Sequence, residues 1–133
     1  MIVADTNLIA YLLVKGIRTR EAEAVYEKDS EWAAPLLWRS EFRNVLVSSL
    51  HQELLSLEDA FDLMERAEQL MGGREHQMAS SRILKLASET GCSAYDCEFV
   101  ALAQDLGVPM VTSDRALVAK FKPVVVSMRA FCA

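Results

Sequence analysis

Four acids stand where a folded chain would gather them: Asp5, Glu41, Asp96 and Asp114. Asp5 ends the apolar run Ile2-Val3-Ala4, and Asp114 stands two residues past Val111-Thr112. If both runs are strands of a parallel sheet, both carboxylates lie at its carboxyl edge, where open α/β sheets bind ligands. Asp96 falls in the first turn of a helix that starts after Ser93, beside those strand ends. Glu41 lies inside a helix. Leu37, Glu41, Asn44 and Ser48 share one line of it, next to the apolar line of Trp38, Phe42 and Val45 with Ser49. Glu41 therefore borders the buried stripe, and a carboxylate near a core is costly unless it is paired or bound to metal. No histidine or cysteine accompanies the four acids, so the set favours a hard, oxygen-binding cation, Mg²⁺ or Mn²⁺, over Zn²⁺. Such an ion orients water, lowers its pKa and offsets the charge that builds on a phosphate during in-line attack.

Each acid also has a local explanation. Asp5 and Asp114 can cap the helices that follow them, and Ser93-Ala94-Tyr95-Asp96 reads as a capping box. Glu41 can pair with an arginine. These explanations leave out the joint placement: several carboxylates on one edge repel one another unless a cation sits between them.

The elements that must position the acids follow from hydrophobic periodicity. Short apolar runs predict strands at Ile2–Ala4, Trp32–Ala34, Val108–Thr112 and Val124–Val126. Helices are expected from Thr6 or Asn7 through Leu13, over Thr19 to Lys28, and over Leu37 to Leu50. A fourth starts after Ser56, which with Asp59 resembles a capping box, and ends at Gly72-Gly73. Further helices are expected over Gln77–Thr90, Ala94–Leu106 and Arg115–Ala119. Short strands alternating with helices indicate an α/β domain around a parallel sheet.

The 133 residues suit one domain, spanning 1–133, and 52% of them are hydrophobic, enough for a self-sufficient core. The net charge of −5 has the wrong sign for a generic nucleic-acid binder, but a cluster of four acids awaiting metal would account for most of it. Cys92, Cys97 and Cys132 form no C-x-x-C pair and are expected as free thiols in a reducing compartment. The early apolar run Leu8–Val14 is far short of the ~20 residues of a membrane span. Neither it nor the N-terminus reads as a leader, so a soluble, cytoplasmic protein is expected.

Val3-Ala4-Asp5-Thr6-Asn7, Ser40-Glu41-Phe42, Ser93-Ala94-Tyr95-Asp96, Phe99-Val100-Ala101-Leu102-Ala103 and Val111-Thr112-Ser113-Asp114 with Leu117 occur in this order over nearly the whole chain. Together they resemble the PIN-domain ribonucleases, and among them the VapC toxins of bacterial and archaeal toxin–antitoxin pairs. The resemblance implies a three-layer α/β/α fold around a short parallel sheet of four or five strands. It implies Mg²⁺- or Mn²⁺-dependent endonucleolytic cleavage of RNA. By position, Asp5, Glu41 and Asp96 are the central catalytic and metal-binding acids, Asp114 is the more variable fourth, and Asn7 and Thr112 support them. It also implies a homodimer and a small antitoxin that enters or covers the site. Cys97 and Glu98 depart from the small or varied residues usual after the third acid. Glu98, two residues round the helix from Asp96, is expected on the solvent side.

RNA would need cations on an acidic protein. Arg39 and Arg43, four apart beside Glu41, repel slightly, so a shared anion would explain both as well as solvated faces do. Arg74, in the loop Gly72-Gly73-Arg74-Glu75-His76, could bend over a substrate, and Arg115 could reach a phosphate. Lys15, Arg18 and Arg20 cluster after the first helix. His51 and His76 read as surface residues. Leu54, Leu55, Phe61 and Met64 divide in an unknown way between core and a dimer or antitoxin face.

Two other functions remain open. A catalytically silent PIN-like module would bind RNA or a partner without cleavage. A response-regulator receiver domain also has an acidic Mg²⁺ pocket, but it needs a phosphoacceptor Asp ending a middle strand. Here Leu37–Thr90 reads as helix after helix, and the strand-end Lys expected near Val126 is missing.

Overall fold

Ile2, Val3 and Ala4 are apolar at successive positions, as a strand covered on both faces requires. In the computed structural model, which describes residues 1–133, they form the fully buried strand β1 (Ile2–Ala4). Strand β1 pairs in parallel with β2 (Trp32–Pro35) on one side and with Met110–Thr112 on the other. Glu75–His76 is β3, beside β2; Met110–Thr112 is β4; and Val125–Ser127 is β5, beside β4. The order is β3-β2-β1-β4-β5, with every pairing parallel.

Eight helices connect or follow these strands: α1 (Thr6–Leu13), α2 (Thr19–Lys28), α3 (Leu37–His51), α4 (Leu57–Met71), α5 (Ser80–Thr90), α6 (Ala94–Leu106), α7 (Arg115–Lys120) and α8 (Met128–Cys132). The first four pack on one another, with α8 against α2, while α5 packs on α6, which covers β1, β2 and β4. Right-handed crossovers place these two groups on opposite faces, giving three α/β/α layers. Trp32, Trp38 and Phe42 anchor the core without exposed surface. The winding reverses between β1 and β4, which opens a crevice outside their carboxyl ends. Asp5 and Asp114 lie at that crevice. A receiver domain has the strand order 2-1-3-4-5, so the receiver alternative fails on topology.

The differences from expectation are short elements. Strand β3 has two half-buried polar residues, with no apolar run to mark it; Ala34 N–H donates to Arg74 O at 3.1 Å and Leu36 N–H to His76 O at 3.0 Å. Helix α8 is five residues long, started by the Ser127 hydroxyl oxygen accepting Ala130 N–H at 3.0 Å. Strand β4 begins at Met110 because Val108 and Pro109 lie before it, although Pro109 O still accepts Val3 N–H at 2.9 Å. Helix α5 begins at Ser80, three residues later than its periodicity suggests. The Ser56–Asp59 capping box forms in both directions. No helix is long and apolar enough to cross a membrane.

Candidate active site

Asp5 ends β1 and caps α1, so one residue carries both the strand-end and the capping role. Its Oδ1 accepts Leu8 N–H at 2.9 Å, and its Oδ2 accepts the Thr112 hydroxyl from the end of β4. Burial raises its pKa, against the bonds from Thr112, Leu8 and Asn7, and the charge of Asp114 adds to the rise. The Thr112 oxygen in turn accepts Asp114 N–H at 3.0 Å. One buried hydroxyl, 107 residues along the chain from Asp5, thus bonds to the Asp5 carboxylate and to the Asp114 backbone. Asp114 caps α7 through Leu117 N–H at 3.1 Å and is exposed.

Glu41 projects from α3 toward the same crevice. Its Oε1 accepts the Thr6 hydroxyl at 2.8 Å. Burial raises the Glu41 pKa, Thr6 opposes the rise, and the negative charges of Asp5, Asp96 and Glu98 add to it. Asp96 sits in the first turn of α6, where Ser93 Oγ takes its N–H at 3.1 Å. The return bond that would complete a capping box is not made, and the Asp96 carboxylate lines the crevice with the Ser93 hydroxyl as its neighbour, which opposes the rise in its pKa. Burial and the charge of Asp114 raise its pKa.

Asp5, Glu41, Asp96 and Asp114 line one pocket of about 470 Å³. Thr6, Asn7, Ser40 and Asn44 add polar groups, and Leu37, Val45, Phe99, Met110 and Leu117 add apolar walls. The helical count that put Leu37, Glu41 and Asn44 on one line matches this lining, while Ser48 lies beyond it. Thr112 stands behind the pocket, bonded to Asp5.

As they lie, no three of the carboxylates are close enough to enclose one ion. The donor chemistry nevertheless fits Mg²⁺ or Mn²⁺. All donors are oxygens, and Mg²⁺ keeps several waters and binds through one or two carboxylates plus substrate phosphate, with no need of a protein cage. Burial first, and neighbouring carboxylates second, raise the pKa values of Asp5, Glu41 and Asp96, and none of the three has a cation to offset the rise.

Other expected residues lie elsewhere. Arg39 is committed to Glu75 through two bonds of 2.6 and 2.8 Å and to Glu68 at 3.3 Å, and stacks over Trp38. Arg74 does not bend over the pocket: its guanidinium donates to Trp32 O at 3.0 Å and Leu70 O at 2.8 Å, tying α4 to β2. Arg43 is exposed and Arg115 borders a separate depression. His51 and His76 are outside the pocket lining. Glu98 is half-buried and its charge reaches Glu41, so it does not lie fully on the solvent side as expected. Burial raises the Glu98 pKa as well. Leu54 and Phe61 are exposed, whereas Leu55 and Met64 pack against the core. The residue that sequence reasoning missed is Thr6. A hydroxyl in a first helical turn signals capping, and only the fold reveals its partner 35 residues away.

Comparison with known proteins agrees with this architecture. The PIN domain family pattern matches residues 2–121. Ribonuclease VapC3 of Pyrobaculum aerophilum is 30% identical over 129 residues, covering 93% of this chain and 97% of that one. The crystal structure of PAE2754 from the same organism superposes with a TM-score of 0.77 at 18% identity, over 98% of this chain and 85% of that one. The FitAcB structure from Neisseria gonorrhoeae gives 0.71 at 20% identity, over 97% and 99% of the two chains. A toxin–antitoxin complex from Klebsiella pneumoniae gives 0.68 at 20% identity, over 96% and 98%. With the family pattern running from β1 into the residue after α7, and through all four acids at the crevice, this chain belongs to the PIN domain family.

Proposed function

We propose that the protein is a Mg²⁺- or Mn²⁺-dependent endoribonuclease, acting as the toxin of a type II toxin–antitoxin pair. The observation that carries this reading is the convergence of four carboxylates from four separate segments on one open pocket, with no cationic side chain among its lining residues. A fold has no structural reason to gather like charges in this way. The 30% identity to a VapC ribonuclease over nearly the whole chain supports RNA as substrate.

Among Asp5, Asp96 and Asp114, one or two would hold the metal directly and the rest through its waters, with Glu41 beside them in the pocket. When bound, a divalent cation supplies the charge that offsets these acids and the reacting phosphate, and it acidifies water. Thr112 fixes the Asp5 carboxylate, and Thr6 fixes Glu41 through Oε1. Glu41 Oε2 has no protein partner and takes the proton of the attacking water, a task its raised pKa suits. The water oxygen bonds to phosphorus, the bond from phosphorus to the leaving ribose oxygen breaks, and that oxygen takes up a proton from solvent water while Glu41 later returns its own to solvent. Asn7 and Asn44 offer amide donors to the phosphodiester at the pocket wall.

The likeness to a toxin–antitoxin complex supports a small antitoxin as partner. Leu54, Leu57 and Phe61, exposed at 69%, 57% and 64%, are apolar surface suited to it or to a second copy in a homodimer.

The test is cleavage of RNA by purified protein across a Mn²⁺ and Mg²⁺ titration, with the cut sites mapped. Internal cuts that appear with metal and vanish with chelator are expected. Retention of RNA without cleavage at any metal concentration would establish the silent binding module instead.

A further inference from the structure

We infer that a second depression, beside the acidic pocket, is a binding subsite for a backbone phosphate of the RNA strand, with Lys122 and Arg115 as its cations. This rests on the ribonuclease reading and extends it to residues outside the acid cluster. The depression has a volume of about 220 Å³ and is lined by Thr112, Ser113, Arg115, Val118, Ala119, Lys122 and Ser127. It contains two cations and three hydroxyls and not one carboxylate, on a chain whose net charge is −5.

The two cations are unspent. Arg115 and Lys122 are exposed and enter no ion pair, whereas Arg18, Arg39 and Arg82 are engaged by acids. Ser127 Oγ accepts Ala130 N–H at 3.0 Å, which leaves its O–H proton free to donate. Ser113 shares a 3.3 Å bond with Tyr11. The Thr112 hydroxyl is used on both sides, by Asp5 and by Asp114 N–H, and so acts as the partition between depression and pocket. A strand whose scissile phosphate faces the acids has its neighbouring phosphate repelled from them. An adjoining concavity of opposite charge receives it and sets the strand's direction.

Lys122 is the discriminating residue, because it lies on the turn between α7 and β5, outside the acid pocket. Two measurements test it: binding of a single-stranded RNA oligonucleotide without metal to the Asp96→Asn protein, and steady-state cleavage with Mn²⁺ by protein carrying Asp96. Lys122→Gln raises Kd and KM about threefold and Lys122→Glu about tenfold. Lys122→Gln also makes the dependence of log K on log salt shallower by about 0.7, and kcat stays within about twofold. Lys85→Glu, with the same charge change on α5, controls for net charge and leaves Kd within about twofold. If Lys122→Glu and Lys85→Glu shift binding equally, or neither does, while the wild type cleaves RNA, the subsite is refuted and the ribonuclease reading stands. If nothing is cleaved but Lys122 variants still weaken RNA binding, the ribonuclease reading fails and the subsite stands.

Discussion

Helix α3 carries Arg39 and Glu41 two residues apart, and the two ends of that short interval are in opposite electrostatic states. Toward β3, Arg39 grips Glu75 with both bonds of its fork and reaches Glu68. Arg39 holds the Glu75 carboxyl below its usual range, and Glu75 in turn raises Arg39. Toward the crevice, Glu41 meets burial and the charges of Asp5, Asp96 and Glu98, and its pKa rises. One helix therefore shows that this chain can pair its charges where the fold needs them paired. The carboxylates in the pocket have hydroxyl and amide partners but no cation. On the proposed function, the difference separates charge that stabilises the fold from charge held against stability for a ligand from outside.

The largest expected effect breaks the pocket half of this comparison. Asp96→Asn removes a pocket charge and leaves the Ser93 bond to the residue 96 N–H intact. Cleavage should fall by about 10³-fold, the scale of losing one well-placed electrostatic group. In metal-free buffer its melting temperature should match or exceed that of the wild type, because a like charge has been taken from its neighbours. Wild-type cleavage rates, or a folded state that Asn weakens, would remove Asp96 from the active assembly.

A smaller effect tests the opposite end of the interval. Arg39→Ala leaves Glu75, which is only 10% exposed, without its partner. A partly buried bidentate pair of this kind should cost about 1–2 kcal/mol, a lowering of melting temperature by roughly 4–8 °C for a domain of this size. The salt dependence of RNA binding should not change. If stability holds and RNA binding weakens instead, Arg39 serves substrate and the contrast along α3 collapses.

Why one end of α3 was legible and the other was not comes down to range. Asp5 and Asp114 could be placed because apolar runs announce strands and the acids stand just past them. Glu41 could be placed because helical spacing relates it to neighbours one turn away. Arg39 and Arg43 also have that spacing, and repulsion at four residues suggested a shared anion. Yet the real partner of Arg39 is Glu75, on a two-residue strand with no apolar pattern. Arg74 misled for the same reason: its bonds to Trp32 O and Leu70 O exist only once β2 and the end of α4 are side by side. The Thr6–Glu41 bond likewise depends on packing of α1 against α3. Periodicity reports which face a residue occupies, and only assembled packing reports what lies opposite.

The smallest effect concerns pH, and its sign differs between the two regions. Asp5, Glu41 and Asp96 have pKa values raised in the fold, mainly by burial. Over the window from the ordinary carboxylate value, about 4, up to those raised values, the folded chain binds more protons than the unfolded one. Stability contributed by these groups is therefore lost as pH rises through that window. Glu75 is lowered, so its contribution is present above the ordinary value and is lost only as pH falls toward the lowered one. At pH 5 and above, the slope should thus be set mainly by the pocket acids, with Glu98, also raised by burial, adding in the same direction. Metal-free protein should melt a few degrees lower at pH 7.5 than at pH 5.5, and Asp96→Asn should flatten that slope. Saturating Mg²⁺ or Mn²⁺ should restore stability at the upper pH, by about 2.7 kcal/mol at a concentration one hundred times Kd. A melting profile that is flat in chelator and unmoved by divalent cations would mean that the pocket acids carry no stored repulsion for a metal to relieve.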